Sequence, residues 1–65
     1  MIKTKIKEFR FKENMKQEDL AKLVGVRRET IGNVESGRYN PSLVLAWKIA
    51  KVFNVLIEDI FEIEE

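Results

Sequence analysis

Residues 17–36 read QEDLAKLVGVRRETIGNVES and predict two short helices joined by a tight turn. The first helix spans Gln17–Val24 and the second spans Arg28–Ser36. Two such helices meet closely only where small residues lie at the contact, and Ala21 is such a residue. Gly25 supplies the positive φ that turns the chain. The apolar residues that face the core of this pair are Leu20, Val24, Ile31 and Val34.

The segment before this pair predicts one more helix. Ile2, Ile6 and Phe9 recur at i, i+4 and i+7, which gives an apolar face to a helix that runs to about Glu13. Asn14 ends this helix because asparagine tolerates the left-handed conformation. A short turn therefore connects the first helix to the helical pair.

The segment after the pair predicts a central helix and a short terminal one. Pro41 keeps Asn40 extended and suits the start of a helix over Ser42–Phe53, and Asn54 ends that helix. The central helix carries two apolar stripes, so it requires cover on more than one side. Ile63 either extends as a strand or frays. The apolar residues of the short fifth helix are Val55, Ile57, Ile60 and Phe61.

Length and composition bound the architecture. Sixty-five residues hold one core, and the chain has no Cys and no His to supply a disulfide or a zinc site. No alternating run of strand length is present. We therefore expect an all-α fold, a compact five-helix domain over residues 1–65, with no metal and no cofactor. The apolar run Leu43–Trp47 is too short for a membrane span or a secretory signal, so we expect a cytoplasmic protein without a membrane partner.

The charges are unevenly distributed along the chain. All 12 Lys and Arg residues lie before residue 52, whereas five of the 11 acidic residues lie in Glu58–Glu65. Residues 1–57 therefore carry a net charge of +6, because the twelve cations there face six acids. Such a body suits a polyanion, and the acidic end should point away from it. A solvated charged surface explains the same charges equally well.

Four stretches of the chain match a known family. They are IKEFR (6–10), QEDLA (17–21), GVRRETI (25–31) and ESGRYNPSL (35–43). Over about Ile6–Phe61 the chain resembles the lambda-repressor-like, Cro-type helix-turn-helix domains of the xenobiotic-response-element family. The resemblance implies a five-helix domain whose third helix lies in the major groove of DNA, commonly as a dimer on a palindromic operator. It also implies an ion pair between Arg10 and Glu35 that holds this helix on the scaffold.

Base edges are expected to meet the exposed side of the third helix. Arg28 suits guanine O6 and N7, and Asn33 suits adenine N6 and N7. Glu29 stands where the family commonly has Gln; its carboxylate can accept from cytosine N4, which narrows the choice of operator. Thr30 offers its hydroxyl to phosphate or its methyl group to thymine. Gly32 leaves room for close approach, although a solvated helix face is the alternative for this whole side.

Phosphate contacts are expected on both sides of this helix. By resemblance, the residues that bind phosphate are Gln17, Ser36, Arg38, Tyr39 and Asn40. Lys16 and Arg27 replace the Ser or Thr that usually caps helices in the family, which costs about 1 kcal/mol at each site. Both bring a cation to a helix N-terminus, where a bound phosphate would be stabilised. Asn40 is explained equally well as a turn residue before Pro41.

The apolar residues outside the helical pair have two explanations. Trp47, Phe53 and Phe61 fall on apolar stripes, which favours core or dimer packing over base stacking. A second set forms a candidate self-complementary patch, and its members are Phe11, Leu23, Val44, Val55, Ile57, Phe61 and Ile63. We therefore expect a homodimer.

The leading hypothesis is a sequence-specific DNA-binding transcriptional regulator, a repressor that occupies a palindromic double-stranded operator. No small-molecule ligand is indicated. Two alternatives stay open: an antitoxin-type autoregulator with a protein partner, and an interaction module that does not read DNA. Phosphate binding predicts a steep dependence of affinity on salt, whereas an apolar protein interface does not. No nucleophile-and-base constellation supports an enzyme.

Overall fold

Five short helices and a two-stranded sheet form the fold in the computed structural model, which describes residues 2–64. The elements in chain order are β1 (Ile2–Thr4), α1 (Ile6–Lys12), α2 (Gln17–Val24), α3 (Arg28–Glu35), α4 (Leu43–Val52), α5 (Ile57–Ile60) and β2 (Phe61–Ile63). The helices enclose one core, and α4 lies against both α2 and α5. The sheet brings the two ends of the described chain together.

The predicted helix ends are confirmed where a residue adopts the left-handed conformation. Gly25 caps α2 with φ of 75°, and Asn14 and Asn54 follow α1 and α4 with φ of 51° and 56°. At the start of α4, Ser42 Oγ accepts a hydrogen bond from the Leu45 backbone N–H at 3.1 Å, so Ser42 is the cap and not the first helical residue. These turns divide the chain into helices short enough to enclose a core of this size.

The prediction of an all-α fold is wrong at the chain ends. Ile2 does not extend α1 but lies in β1, which pairs antiparallel with β2 so that Ile2 lies opposite Ile63 and Thr4 lies opposite Phe61. The helix begins only at Ile6, whose backbone N–H donates to Thr4 Oγ1 at 2.8 Å. Strands of three residues are too short to show alternation, and their pairing is non-local, so helical periodicity at Ile2 was misleading.

An exposed ion pair crosses this sheet. Lys3 Nζ lies 2.7 Å from Glu64 Oε1, and this hydrogen bond raises the pKa of Lys3 above its ordinary value of 10.5. Because the pKa is raised in the folded state, any stabilisation is present below the unfolded pKa and is lost as pH rises through the folded pKa. Both side chains are exposed, so the pair contributes little.

The core draws side chains from all five helices. The largest fully buried side chains are Ile6, Leu20, Ile31, Val34, Ile49 and Ile60. Both apolar stripes of α4 contribute buried residues, Leu45 and Ile49 from one and Ala46 and Ala50 from the other. Leu43 and Trp47 of the second stripe are not covered, at 77% and 52% exposure. Phe61 is buried, so it belongs to the core and not to a surface patch. Phe53 is partly buried, with its ring centroid 5.6 Å from that of Phe9.

Ile49→Ala should lower the free energy of unfolding by about 2–5 kcal/mol, because it removes buried methyl groups and leaves a cavity. Leu43→Ala on the same helix is the matched control, and it should change that free energy by no more than about 0.5 kcal/mol. Denaturant unfolding followed by circular dichroism measures both. Equal losses for the two variants would contradict this description of the core.

Candidate nucleic-acid interface

The helix α3 separates its apolar and polar side chains onto opposite sides. Ile31 and Val34 are buried, whereas Arg28, Glu29 and Asn33 are exposed. Thr30 is partly buried beside them. Three of the four candidate base-reading residues therefore lie on the accessible side of α3, and Thr30 lies at its edge.

We expected Gly32 to leave open space beside α3, but the side chain of Gln17 lies next to it. A Cβ atom at this position would lie 3.7 Å from Gln17 Oε1 and 3.8 Å from Gln17 Nε2, so the glycine packs beside the start of α2. Those distances are ordinary van der Waals contacts, which means that a methyl group fits there. The close approach at Gly32 is therefore between α3 and a side chain of the protein itself.

A buried ion pair joins α1 to the end of α3. Arg10 Nε lies 2.6 Å from Glu35 Oε2 and Arg10 Nη2 donates to Glu35 Oε1 at 3.0 Å, so the pair is bidentate. The two side chains are only 6% and 9% exposed. Arg10 Nη1 also donates to the Met15 carbonyl oxygen at 2.9 Å, which ties the loop after α1 into the same contact. The predicted pairing is confirmed.

The exposed ring of Phe11 lies over this pair. The Arg10 guanidinium carbon lies 5.3 Å from the Phe11 ring centroid, and Lys7 Nζ lies 5.7 Å from the same centroid. Such distances allow cation–π attraction. Phe11 is exposed as predicted, at 60%, yet its ring packs against Arg10 and is not wholly available to a partner.

Gln17 links the buried pair to the exposed side of α3, which sequence reasoning missed. Its Nε2 donates to Glu35 Oε1 at 3.1 Å, while its Oε1 accepts from Arg28 Nη1 at 3.2 Å. One N–H of the amide is thus already committed within the protein. No spacing rule reports this contact, because it depends on side-chain conformations on two helices.

The loop after α3 is folded back onto the helix end. The Asn33 carbonyl oxygen accepts from the Arg38 and Tyr39 backbone N–H groups at 3.0 and 3.2 Å and from Ser36 Oγ at 3.2 Å. Gly37 permits this turn with φ of 80°. The four expected phosphate-binding residues of this loop, Ser36, Arg38, Tyr39 and Asn40, are all exposed. Their placement beside α3 therefore has a backbone cause.

Neither Lys16 at the start of α2 nor Arg27 at the start of α3 provides a side-chain cap, as predicted. Both cations are exposed. At α2 the loss is partly offset, because Asp19 Oδ2 accepts from the Lys16 backbone N–H at 3.0 Å. This one-sided capping by Asp19 was missed, although an acid three residues after the cap is its sequence signal.

Residues 2–64 contain no candidate metal site and no candidate membrane-spanning helix. No group of three or more metal-ligating side chains occurs among them. No helix among them is long and apolar enough to cross a membrane.

A helical pair joined at Gly25, with its second helix presenting polar side chains between exposed cations, defines a helix-turn-helix DNA-binding domain. The chain belongs to the helix-turn-helix family, whose model matches residues 6–60. It is a DNA-binding transcriptional regulator, and its family consists of regulators, not enzymes.

Relatives and solved structures agree with this assignment. An uncharacterized HTH-type transcriptional regulator of Archaeoglobus fulgidus is 67% identical over 64 residues, which are 98% of this chain and 90% of the relative. A similarly described protein of Methanocaldococcus jannaschii is 56% identical over 64 residues, covering 98% and 97% of the two chains. The restriction-modification controller protein C.AhdI of Aeromonas hydrophila has a TM-score of 0.77 at 35% identity, covering 83% of this chain and 82% of that one.

Arg10→Met should lower the free energy of unfolding by about 3–5 kcal/mol, because it leaves the Glu35 carboxylate buried without its partner. Lys22→Met is the control, since it removes an exposed ion pair with Glu18 and should cost less than about 1 kcal/mol. The double variant Arg10→Met/Glu35→Leu should recover most of the loss. Chemical denaturation measures all three, and a small loss for Arg10→Met alone would show that the pair does not hold α3.

Proposed function

We propose that the protein is a repressor that binds a palindromic operator by placing α3 in the major groove and thereby blocks access of polymerase. The observation that carries the proposal is the polar side of α3, which is exposed while its apolar side and its end are anchored to the core. A helix held in this way can enter a groove without first becoming ordered, which reduces the cost of binding. The groove of B-DNA accommodates one α-helix.

The base-reading roles follow from the exposed chemistry of α3. Arg28 presents a guanidinium suited to guanine, and Asn33 presents an amide suited to adenine. Glu29 accepts from cytosine N4, and its charge disfavours sites where phosphates lie close. Thr30 lines one depression together with Asn33, Arg38 and Tyr39, so it lies on the side of α3 that faces the loop.

The phosphate-binding roles fall on two flanks of α3. One flank comprises the starts of α2 and α3, with Lys16, Gln17 and Arg27. The other flank is the loop after α3, with Ser36, Arg38, Tyr39 and Asn40. Gln17 keeps one amide N–H for a phosphate because the other donates to Glu35. These contacts position the protein on the duplex, and they do not distinguish one sequence from another.

We also propose that the protein binds two half-sites as a homodimer. We propose that it acts in the cytoplasm, where the operator is accessible. Apolar side chains are exposed on several elements, which supports a self-complementary surface. The most exposed are Phe11, Leu23, Leu43, Val44, Trp47, Leu56 and Ile63. Leu23 and Trp47 line one depression, so at least these two lie together.

Arg28→Ala should relax base preference at one position of each half-site and weaken specific binding by about 1–3 kcal/mol. Lys16→Ala, the matched control, should weaken binding to operator and to random duplex by the same factor, because a phosphate contact carries no sequence information. The affinities of both variants are measured by titration with an operator selected from random DNA and with a random duplex. Equal losses on specific and random duplexes for Arg28→Ala would refute its assignment.

Selected operators should contain two inverted half-sites about 34 Å apart, which is one turn of the duplex, because a two-fold symmetric dimer presents two copies of α3. Analytical ultracentrifugation of the free and bound protein should show two chains for each operator. A selected site without two-fold symmetry, bound by one chain, would contradict the dimer.

A further inference from the structure

A second depression lies beside the base-reading helix and leads away from it along α4. Thr30 and Tyr39 line both this depression and the one that contains Asn33 and Arg38, so the two share a rim. Val44 and Lys48 of α4 also line the second depression. A surface track therefore runs from the loop after α3, past Tyr39, to one side of α4.

Lys48 is the cationic residue that lines this second depression. Its side chain is exposed, and it takes part in none of the ion pairs among residues 2–64, which join Lys3 to Glu64, Arg10 to Glu35 and Lys22 to Glu18. The helix that carries it, LVLAWKIAKV, contains no acidic residue. The ammonium group is thus a positive charge that the described part of the chain does not neutralise.

We propose that Lys48 binds a phosphate of the DNA backbone, beyond the phosphates bound by the loop after α3. The inference rests on the proposed function, because the loop and α3 fix where the duplex lies. A strand that follows Arg38 and Tyr39 continues into the depression that Lys48 borders. A lysine is suited to this task, since its ammonium is a compact point charge on a flexible stem that reaches phosphates without a fixed geometry.

Lys51 provides a matched control on the same helix. It is exposed like Lys48 and lies three residues further along α4, but its Nζ lies 5.5 Å from the centroid of the Trp47 ring. Both lysines border the depression that contains Leu23 and Trp47, but only Lys48 also lines the one formed by Thr30 and Tyr39. The two lysines therefore have the same charge and helix but different positions relative to the proposed duplex.

The test compares Lys48→Ala and Lys51→Ala with the natural chain on one duplex at several salt concentrations, by fluorescence anisotropy. Each lost phosphate contact reduces the slope of log affinity against log salt by about 0.9. We expect that reduction for Lys48→Ala at each bound half-site, with the same loss of affinity on operator and random duplex. The slope for Lys51→Ala should remain that of the natural chain. Circular dichroism of both variants checks that these exposed substitutions leave the fold intact.

Three results would contradict the proposal, each in a different way. If Lys48→Ala keeps the natural slope while Arg38→Ala reduces it, the protein binds DNA as proposed but Lys48 contacts no phosphate. If Lys48→Ala and Lys51→Ala reduce the slope equally, the effect is one of general charge, and the specific placement is wrong. If the natural chain binds no duplex at low salt, the proposed function itself fails.

Discussion

The buried contact between Arg10 and Glu35 is the constraint on which the rest of the structure depends. It joins residues 25 positions apart and brings the end of α3 against α1 with two short hydrogen bonds. Two charges in the interior are costly to desolvate, so the gain from such a pair lies less in net stability than in its defined geometry. The same two side chains hold Met15 and Gln17, which means that one contact fixes the loop after α1, the start of α2 and the end of α3.

The separation of α3 into a buried side, an anchored end and an exposed polar side follows from that constraint. Ile31 and Val34 hold one side of the helix on the core, the ion pair holds its end, and the remaining side exposes the polar groups proposed to bind bases. Arg28 is already oriented by Gln17 in the free protein, so part of the ordering needed for recognition precedes the encounter with DNA.

The helices could be predicted from the sequence because their signals are local. Gly25, Asn14 and Asn54 end helices by a backbone preference that each residue carries with it, and apolar periodicity marks the buried sides. The three-residue strands could not be predicted, since Ile2 meets Ile63 only after the whole chain has folded. Periodicity also overestimated the burial of Leu43 and Trp47, because an apolar stripe indicates residues suited to burial and not the presence of a neighbouring element. The exposure of Arg28, Glu29 and Asn33 on α3 could be predicted from helical periodicity, and their roles toward DNA stay predictions. The link from Glu35 through Gln17 to Arg28 and the position of Lys48 beside Tyr39 depend on tertiary structure and could not be predicted.

The surface proposed to meet duplex DNA is the exposed side of α3 together with the loop that follows it. The most direct measurement is a titration of the ¹⁵N-labelled protein with a duplex at low salt, followed by backbone amide NMR shifts. We expect the largest shifts in residues 28–33 and 36–40 and at the start of α2, and small shifts in α5 and β2. Shifts concentrated in α5, β2 or the exposed apolar side chains of α4, with α3 unperturbed, would contradict it.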